Sequence, residues 1–163
     1  MAVTYEPIAT TTASGSSSSI TFSSISGTYT DLRIVVNCTN DSGANYGLFV
    51  RFNSDTASNY SFTRLYGDGT SAVSNNASSV AYATMGWTSS GTLATFTADL
   101  NNYANTTTYK TLLNRNSSSV SRVGAVVSLW RSTSAITSIE IYNESGASFT
   151  SGSTFTLYGI KAA

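Results

Sequence analysis

Between Ile20 and Val36 the large apolar residues fall on alternate positions: Ile20 and Phe22, then, beyond Gly27, Leu32, Ile34 and Val36. A period of two gathers them on one face of an extended strand, and such a face needs a second layer to cover it. Gly27 breaks the run between two strands. The corner Thr28-Tyr29-Thr30-Asp31 lets the tyrosine ring lie along the sheet with its hydroxyl in water. The pattern recurs: Tyr46, Leu48, Val50 and Phe52 alternate with Gly47, Phe49, Arg51 and Asn53, giving one wholly apolar face and one mixed face. Further strands are predicted over Val3–Thr12, Tyr60–Tyr66, Val80–Trp87, Leu93–Leu100, Tyr109–Arg115, Val120–Trp130, Ile136–Asn143 and Thr154–Ile160, with short Ser-, Gly- and Asn-rich turns between them. No segment carries an apolar stripe at helical spacing. About nine or ten strands at these intervals predict an all-β fold, an antiparallel two-sheet sandwich of the jelly-roll kind.

A chain of 163 residues suits one domain with a sizeable core and is short for two. Residues 20–163 read as that domain, with Phe155 and Leu157 in its core. Residues 1–19 read as an arm. Pro7 confines its strand to an edge or to a neighbouring subunit, and Ala13–Ser19 is a flexible, serine-rich link, which leaves two alternatives, an arm ordered alone or one ordered only on assembly. The long polar run Thr70–Ser79 reads as a surface loop, as does Asn53–Asn59.

Serine and threonine supply a third of the residues, aromatics 12% and charged residues only 10%. Disordered chains show the reverse, few rings and much charge. Eight acidic and eight basic residues are dispersed, so neither a basic stripe for nucleic acid nor an acidic tail is present. A surface kept in solution by hydroxyls and amides tolerates close neighbours, which favours an assembly subunit. No apolar run is long enough to cross a bilayer, and the first residues lack a leader pattern; synthesis in a cytoplasm without membrane insertion is expected.

The chain has no histidine, which removes imidazole acid–base chemistry, the usual nucleophile triads and ordinary zinc sites. Cys38, at the end of a strand, reads as a small core residue with no disulfide partner. Asp99, Glu140 and Glu144 lie on or beside predicted strands and could pair for glycoside hydrolysis, but nothing sets two of them across a cleft, and a solvated surface is the simpler role. Asn53-Ser54-Asp55-Thr56 lacks the spaced carboxylates and closing glutamate of a calcium loop. Gly67-Asp68-Gly69, with no helix after it, is a turn. No catalytic, metal or cofactor site is expected. What remains is a candidate contact or glycan-binding surface: Asp55, Asn59, Tyr66, Trp87, Tyr103 and Trp130, whose rings at strand ends and loops can stack on sugars, meet another subunit or pack in the core.

Three stretches taken together, ITFSSISGTYTDLRIVV at Ile20–Val36, RFNSDTASNYSFTRLYGDG at Arg51–Gly69 and the C-terminal STFTLYGIKAA, with YEPIATTT at the start, resemble small virion structural proteins of tailed bacteriophages, particularly those of cyanobacteria and other aquatic bacteria. The resemblance implies a non-enzymatic jelly-roll-like module on the virion surface, acting as a homo-oligomer with a trimer the expected form. It carries over no catalytic residue. Two placements follow: a decoration or cement protein holding the major capsid protein together, or a tail-fibre or spike module binding a host surface glycan.

Overall fold

The computed structural model describes residues 4–118 and 122–161. Among them there is no helix, and twelve strands form two antiparallel sheets. In chain order they are β1 (Tyr5–Thr12), β2 (Ser19–Phe22), β3 (Asp31–Cys38), β4 (Tyr46–Phe52), β5 (Tyr60–Gly67), β6 (Ala72–Val80), β7 (Ala83–Thr88), β8 (Ala94–Asn101), β9 (Lys110–Ser118), β10 (Val123–Trp130), β11 (Ile139–Asn143) and β12 (Thr154–Ile160). The larger sheet runs β1-β12-β3-β8-β9-β10-β5-β6 and the smaller runs β2-β11-β4-β7. Their facing sides make the core, a sandwich-like arrangement. Leu32, Ile34 and Val36 of β3, Phe96 and Leu100 of β8 and Phe155 and Leu157 of β12 meet Ile20 and Phe22 of β2, Leu48, Val50 and Phe52 of β4 and Ile139 and Ile141 of β11. Ile20, Phe22, Leu32, Ile34, Val36, Leu48, Val50 and Phe52 are the positions that alternation picks out, because one buried face leaves a period of two in the sequence.

The strand count exceeds the nine or ten expected, and the clearest difference is β6. The run Thr70–Ser79 is not a loop over most of its length; Ala72–Val80 pairs antiparallel with β5 as the outermost strand of the larger sheet. Its residues, AVSNNASSV, show little apolar alternation because an edge strand at the rim buries little. The strand predicted from Val80 starts at Ala83, and that predicted from Ile136 starts at Ile139. Met1–Val3, the start of the Val120 strand and the last two residues lie outside the described residues.

β1 forms the opposite edge, where Pro7 sits beside a register shift and costs no interior hydrogen bond. The serine-rich stretch after it is tied to the same chain: Ala13 N–H donates to Ser153 O at 2.8 Å, Gly152 N–H to Ala13 O at 3.0 Å, Phe149 N–H to Ser17 O at 2.9 Å and Asn143 N–H to Ser18 O at 3.1 Å. These bonds carry the backbone from the larger sheet to the smaller. The Tyr29 ring lies across β12 at Gly159, where a Cβ would come within 2.3 Å of the ring. Only a glycine leaves room for it.

Candidate functional site: an arginine–aromatic cluster and an outer sheet face

The six candidate surface residues separate into two groups. Asp55 and Asn59, in the β4–β5 loop, form a structural cap with Trp130. Asp55 Oδ2 accepts from Trp130 Nε1 at 2.7 Å and from Asn59 Nδ2 at 2.9 Å, and Oδ1 accepts from Ala57 N–H at 2.9 Å. Trp130 is 2% exposed and stacks in the core on Tyr60 and Phe52. Tyr103 is fully buried, its hydroxyl donating to Ser26 O. In this chain these rings fill the core, the alternative held open from sequence.

Tyr66 and Trp87 are brought together. Alternation along β5 turns Phe62, Arg64 and Tyr66 towards the smaller sheet, and Phe62 is buried while Arg64 and Tyr66 reach the half-open end. Gly124 of β10 lies opposite Tyr66, and a Cβ there would meet Leu65 O at 2.6 Å and Tyr66 Cβ at 3.0 Å, so the glycine makes the space. On β7 a register shift occurs opposite Leu48/Phe49, with Gly86 at φ +120. Such a bulge re-aims the side chain that follows, here Trp87. The two rings meet edge to face with centroids 4.9 Å apart.

Two cations close over them. The guanidinium carbons of Arg64 and Arg122 lie 4.1 and 4.2 Å from the Trp87 centroid, and that of Arg122 lies 5.0 Å from the Tyr66 centroid. Arg64 Nε donates to Asn75 Oδ1 on β6. Neither arginine forms an ion pair among the described residues, whereas Arg33, Arg51 and Lys161 pair with Asp99, Glu140 and Glu6 at 2.6, 3.5 and 2.8 Å. Burial, together with the neighbouring Arg122, holds the Arg64 guanidinium below its ordinary value, although Tyr66 and Glu144 act in the other direction. Glu144 itself accepts the Gly47 N–H at 3.1 Å. Arg64 and Arg122 were not singled out from sequence. The available signal was the alternation Phe62-x-Arg64-x-Tyr66, which puts a cation on an otherwise ring-lined face.

The second feature is the outward side of β6-β5-β10-β9. Leu65, Leu113, Val123 and Val127 are 58%, 47%, 60% and 46% exposed. Register sets Val127 between Thr63 and Leu113, and Ala125 between Leu65 and Arg115. Arg115, at the margin, is the one charged side chain at the outward positions of these four strands. Two open depressions run along this face, one of 490 Å³ lined by Leu65, Ser74 and Val123 among others, and one of 330 Å³ lined by Thr63, Asn76 and Val127 among others.

Asp99 and Glu140, two of the carboxylates considered for hydrolysis, do not converge. Asp99 stands on the outer side of the larger sheet against Arg33, and Glu140 on the outer side of the smaller sheet against Arg51. Two groups on opposite outer faces cannot flank one glycosidic bond. Cys38 is buried and free, and burial pushes its thiol up to about 12. Among the described residues no group of three or more Cys, Asp or Glu is placed to hold a metal ion, and no helix is long and apolar enough to cross a membrane. Comparison with protein-family models found no match. Comparison with curated proteins found none either.

Proposed function

We propose that this chain is a non-enzymatic structural protein of a virion surface, a decoration or cement module that associates with copies of itself and with neighbouring shell proteins such as the major capsid protein. The observation that carries this reading is the outward face of β6-β5-β10-β9, uncharged in its middle, with four large aliphatic side chains in water. Contiguous exposed apolar surface of that kind marks a place where another protein sits, and depletion of charge is the mark of an interface core. We read the strand order as a jelly roll: the smaller sheet interleaves early and late strands as β2-β11-β4-β7, and the larger sheet does so once the β8–β9 hairpin is taken as an insertion.

The test is the solution mass of the protein and its position on particles. An oligomer that Val127→Lys converts to folded monomers, and density spread over the capsid lattice, are the expected results. A wild-type chain that stays monomeric at high concentration would overturn the oligomer, and a copy number of a few per virion would overturn the cement role. A second reading, a tail-fibre or spike module binding a host surface glycan, is favoured by the meeting of Tyr66 and Trp87 at one end of the sandwich. Density confined to the tail, with loss of cell binding on changing those rings, is its expected outcome.

A further inference from the structure

We propose that Arg64 and Arg122, held over Trp87 and flanked by Tyr66, form a binding site for the oxyanion of an acidic carbohydrate, a sugar bearing a carboxylate or a sulfate. The inference rests on the second, glycan-binding reading and is independent of what the outer sheet face contacts.

Most of the basic side chains in this protein have acceptors of their own. Of its eight basic side chains, three are matched to a carboxylate, Lys110 donates to the carbonyls of Thr108 and Thr133, and Arg131 donates to those of Ser58 and Tyr60. Arg64 and Arg122 have no carboxylate at ion-pair distance among the described residues, and Arg122 bears unfavourably on Arg64, with the Glu144 carboxylate only partly offsetting it. Both are about 4 Å from one ring centroid, so their charges are within roughly 8 Å, no more than a Debye length at physiological salt. Like charges so placed repel, and Arg64 is partly buried as well. An anion whose oxygens reach both guanidinium groups relieves both penalties, which is a differential gain that neutral ligands cannot supply.

The donors are also largely unused. A guanidinium carries about five N–H donors in a fixed fork matched to carboxylate, sulfate and phosphate oxygens. Among the described residues only Arg64 Nε has an acceptor, Asn75 Oδ1. Contact with the Trp87 ring restrains both guanidinium groups without consuming those donors, which lowers the cost of ordering them around a ligand.

What surrounds the pair favours a sugar over an acidic side chain of another protein. Asn75 sits beside Arg64, and Asn116 is close enough to β7 that a Cβ at Gly86 would be 2.8 Å from its amide carbon. Tyr66 adds a ring and a hydroxyl. Amides, a phenol and an aromatic edge around a cation pair give a hydroxylated ring several partners at once, where an isolated Asp or Glu would use the arginines and leave the amides idle.

The experiment is a titration of the full chain, followed by calorimetry and by tryptophan fluorescence, with a glucuronate-containing oligosaccharide, heparin, a neutral glucose hexamer, inorganic phosphate and a glutamate-rich peptide. The glucuronate oligosaccharide and heparin are expected to bind, more weakly as salt rises, with a fluorescence change that disappears in Trp87→Phe because Trp130 is buried elsewhere. Arg64→Gln and Arg122→Gln should each weaken binding about tenfold or more, the loss of hydrogen bonds to a charged group, while Arg115→Gln on the outer face should not. Arg122 precedes β10 and Arg64 is half-buried, so a folding defect confined to Arg64→Gln leaves Arg122→Gln decisive. Equal losses for Arg115→Gln, or phosphate binding as tightly as the sugar acid, would overturn the site as a specific one. Binding of the neutral hexamer alone would keep a glycan site and overturn the oxyanion; binding of the peptide alone would overturn the carbohydrate.

Discussion

Replacing Asp55 by alanine removes three acceptor contacts at once from the β4–β5 loop. The most consequential is the 2.7 Å bond from Trp130 Nε1, because an indole 2% exposed has little water to replace it. A hydrogen bond to a charged group is worth about 1.5–3 kcal/mol, and a partly exposed carboxylate belongs at the low end of that range. Counting the Asn59 and Ala57 bonds, nearer to solvent, as a smaller addition, Asp55→Ala should lose about 2–3 kcal/mol. In a chain of this size each kcal/mol moves the midpoint by about 2–4 °C, so a drop of about 4–12 °C is expected. Trp130→Phe keeps a ring against Tyr60 and Phe52 but deletes the donor, so thermal or urea unfolding of both single variants and the double variant isolates the pair. A coupling of about 1.5 kcal/mol is expected; single effects that add to within about 0.3–0.5 kcal/mol would refute the reasoning. The pH dependence has a definite sign. Burial acts to raise the Asp55 carboxyl, but the bonds from Asn59, Trp130 and Ala57 outweigh it and leave it below its ordinary 3.8. A folded-state value under the unfolded one gives stabilisation that is complete above the unfolded pKa and lost as pH falls through the folded one. The difference between wild type and Asp55→Asn should therefore narrow below pH 3.8.

Three further outcomes follow from packing. Cys38 is fully buried, with its thiol pushed up to about 12, so alkylation at pH 8 should be slow in the native protein and fast in urea; fast native labelling would mean that the β3 end opens. Gly159→Ala puts a methyl 2.3 Å from the Tyr29 ring and should cost about 1–3 kcal/mol by urea unfolding, recovered largely by adding Tyr29→Ser. Leu157→Ala, at a fully buried site on the strand between β1 and β3, should cost about 2–5 kcal/mol, and deletion from Thr154 onward should abolish cooperative unfolding.

The core was legible because burying one face of a strand writes a period of two into the chain: Leu32, Ile34 and Val36 needed nothing beyond that rule. β6 was hidden for the converse reason. Its partner supplies one row of backbone hydrogen bonds, and a rim strand of Ser, Asn and Ala can pair without an apolar face, so its sequence resembles a loop. The two tryptophans show the same limit for the site. Each ends a strand, and the local pattern treats them alike. Trp130 is in phase with buried Val126 and Ser128 and goes inward, whereas Trp87 follows the irregularity at Gly86 and emerges beside the arginines. Phase along one strand is a local property; the company of Arg122, more than thirty positions further along, is set by sheet order and has no local trace.

The two edges of the larger sheet are unlike. At β1, Pro7, Glu6 and a register shift interrupt the row of free backbone groups, the means by which sheets discourage further pairing. At β6 the nine residues hold no proline and no charge. A sheet with one blunted side and one bare side can join another copy across the bare side, and there the growth ends, because both exposed rims of the joined pair are then β1. Ribbons and fibres need two sticky sides. Edge pairing through the larger sheet is self-terminating, and an assembly larger than a pair has to use another surface, a face or a rim of the smaller sheet.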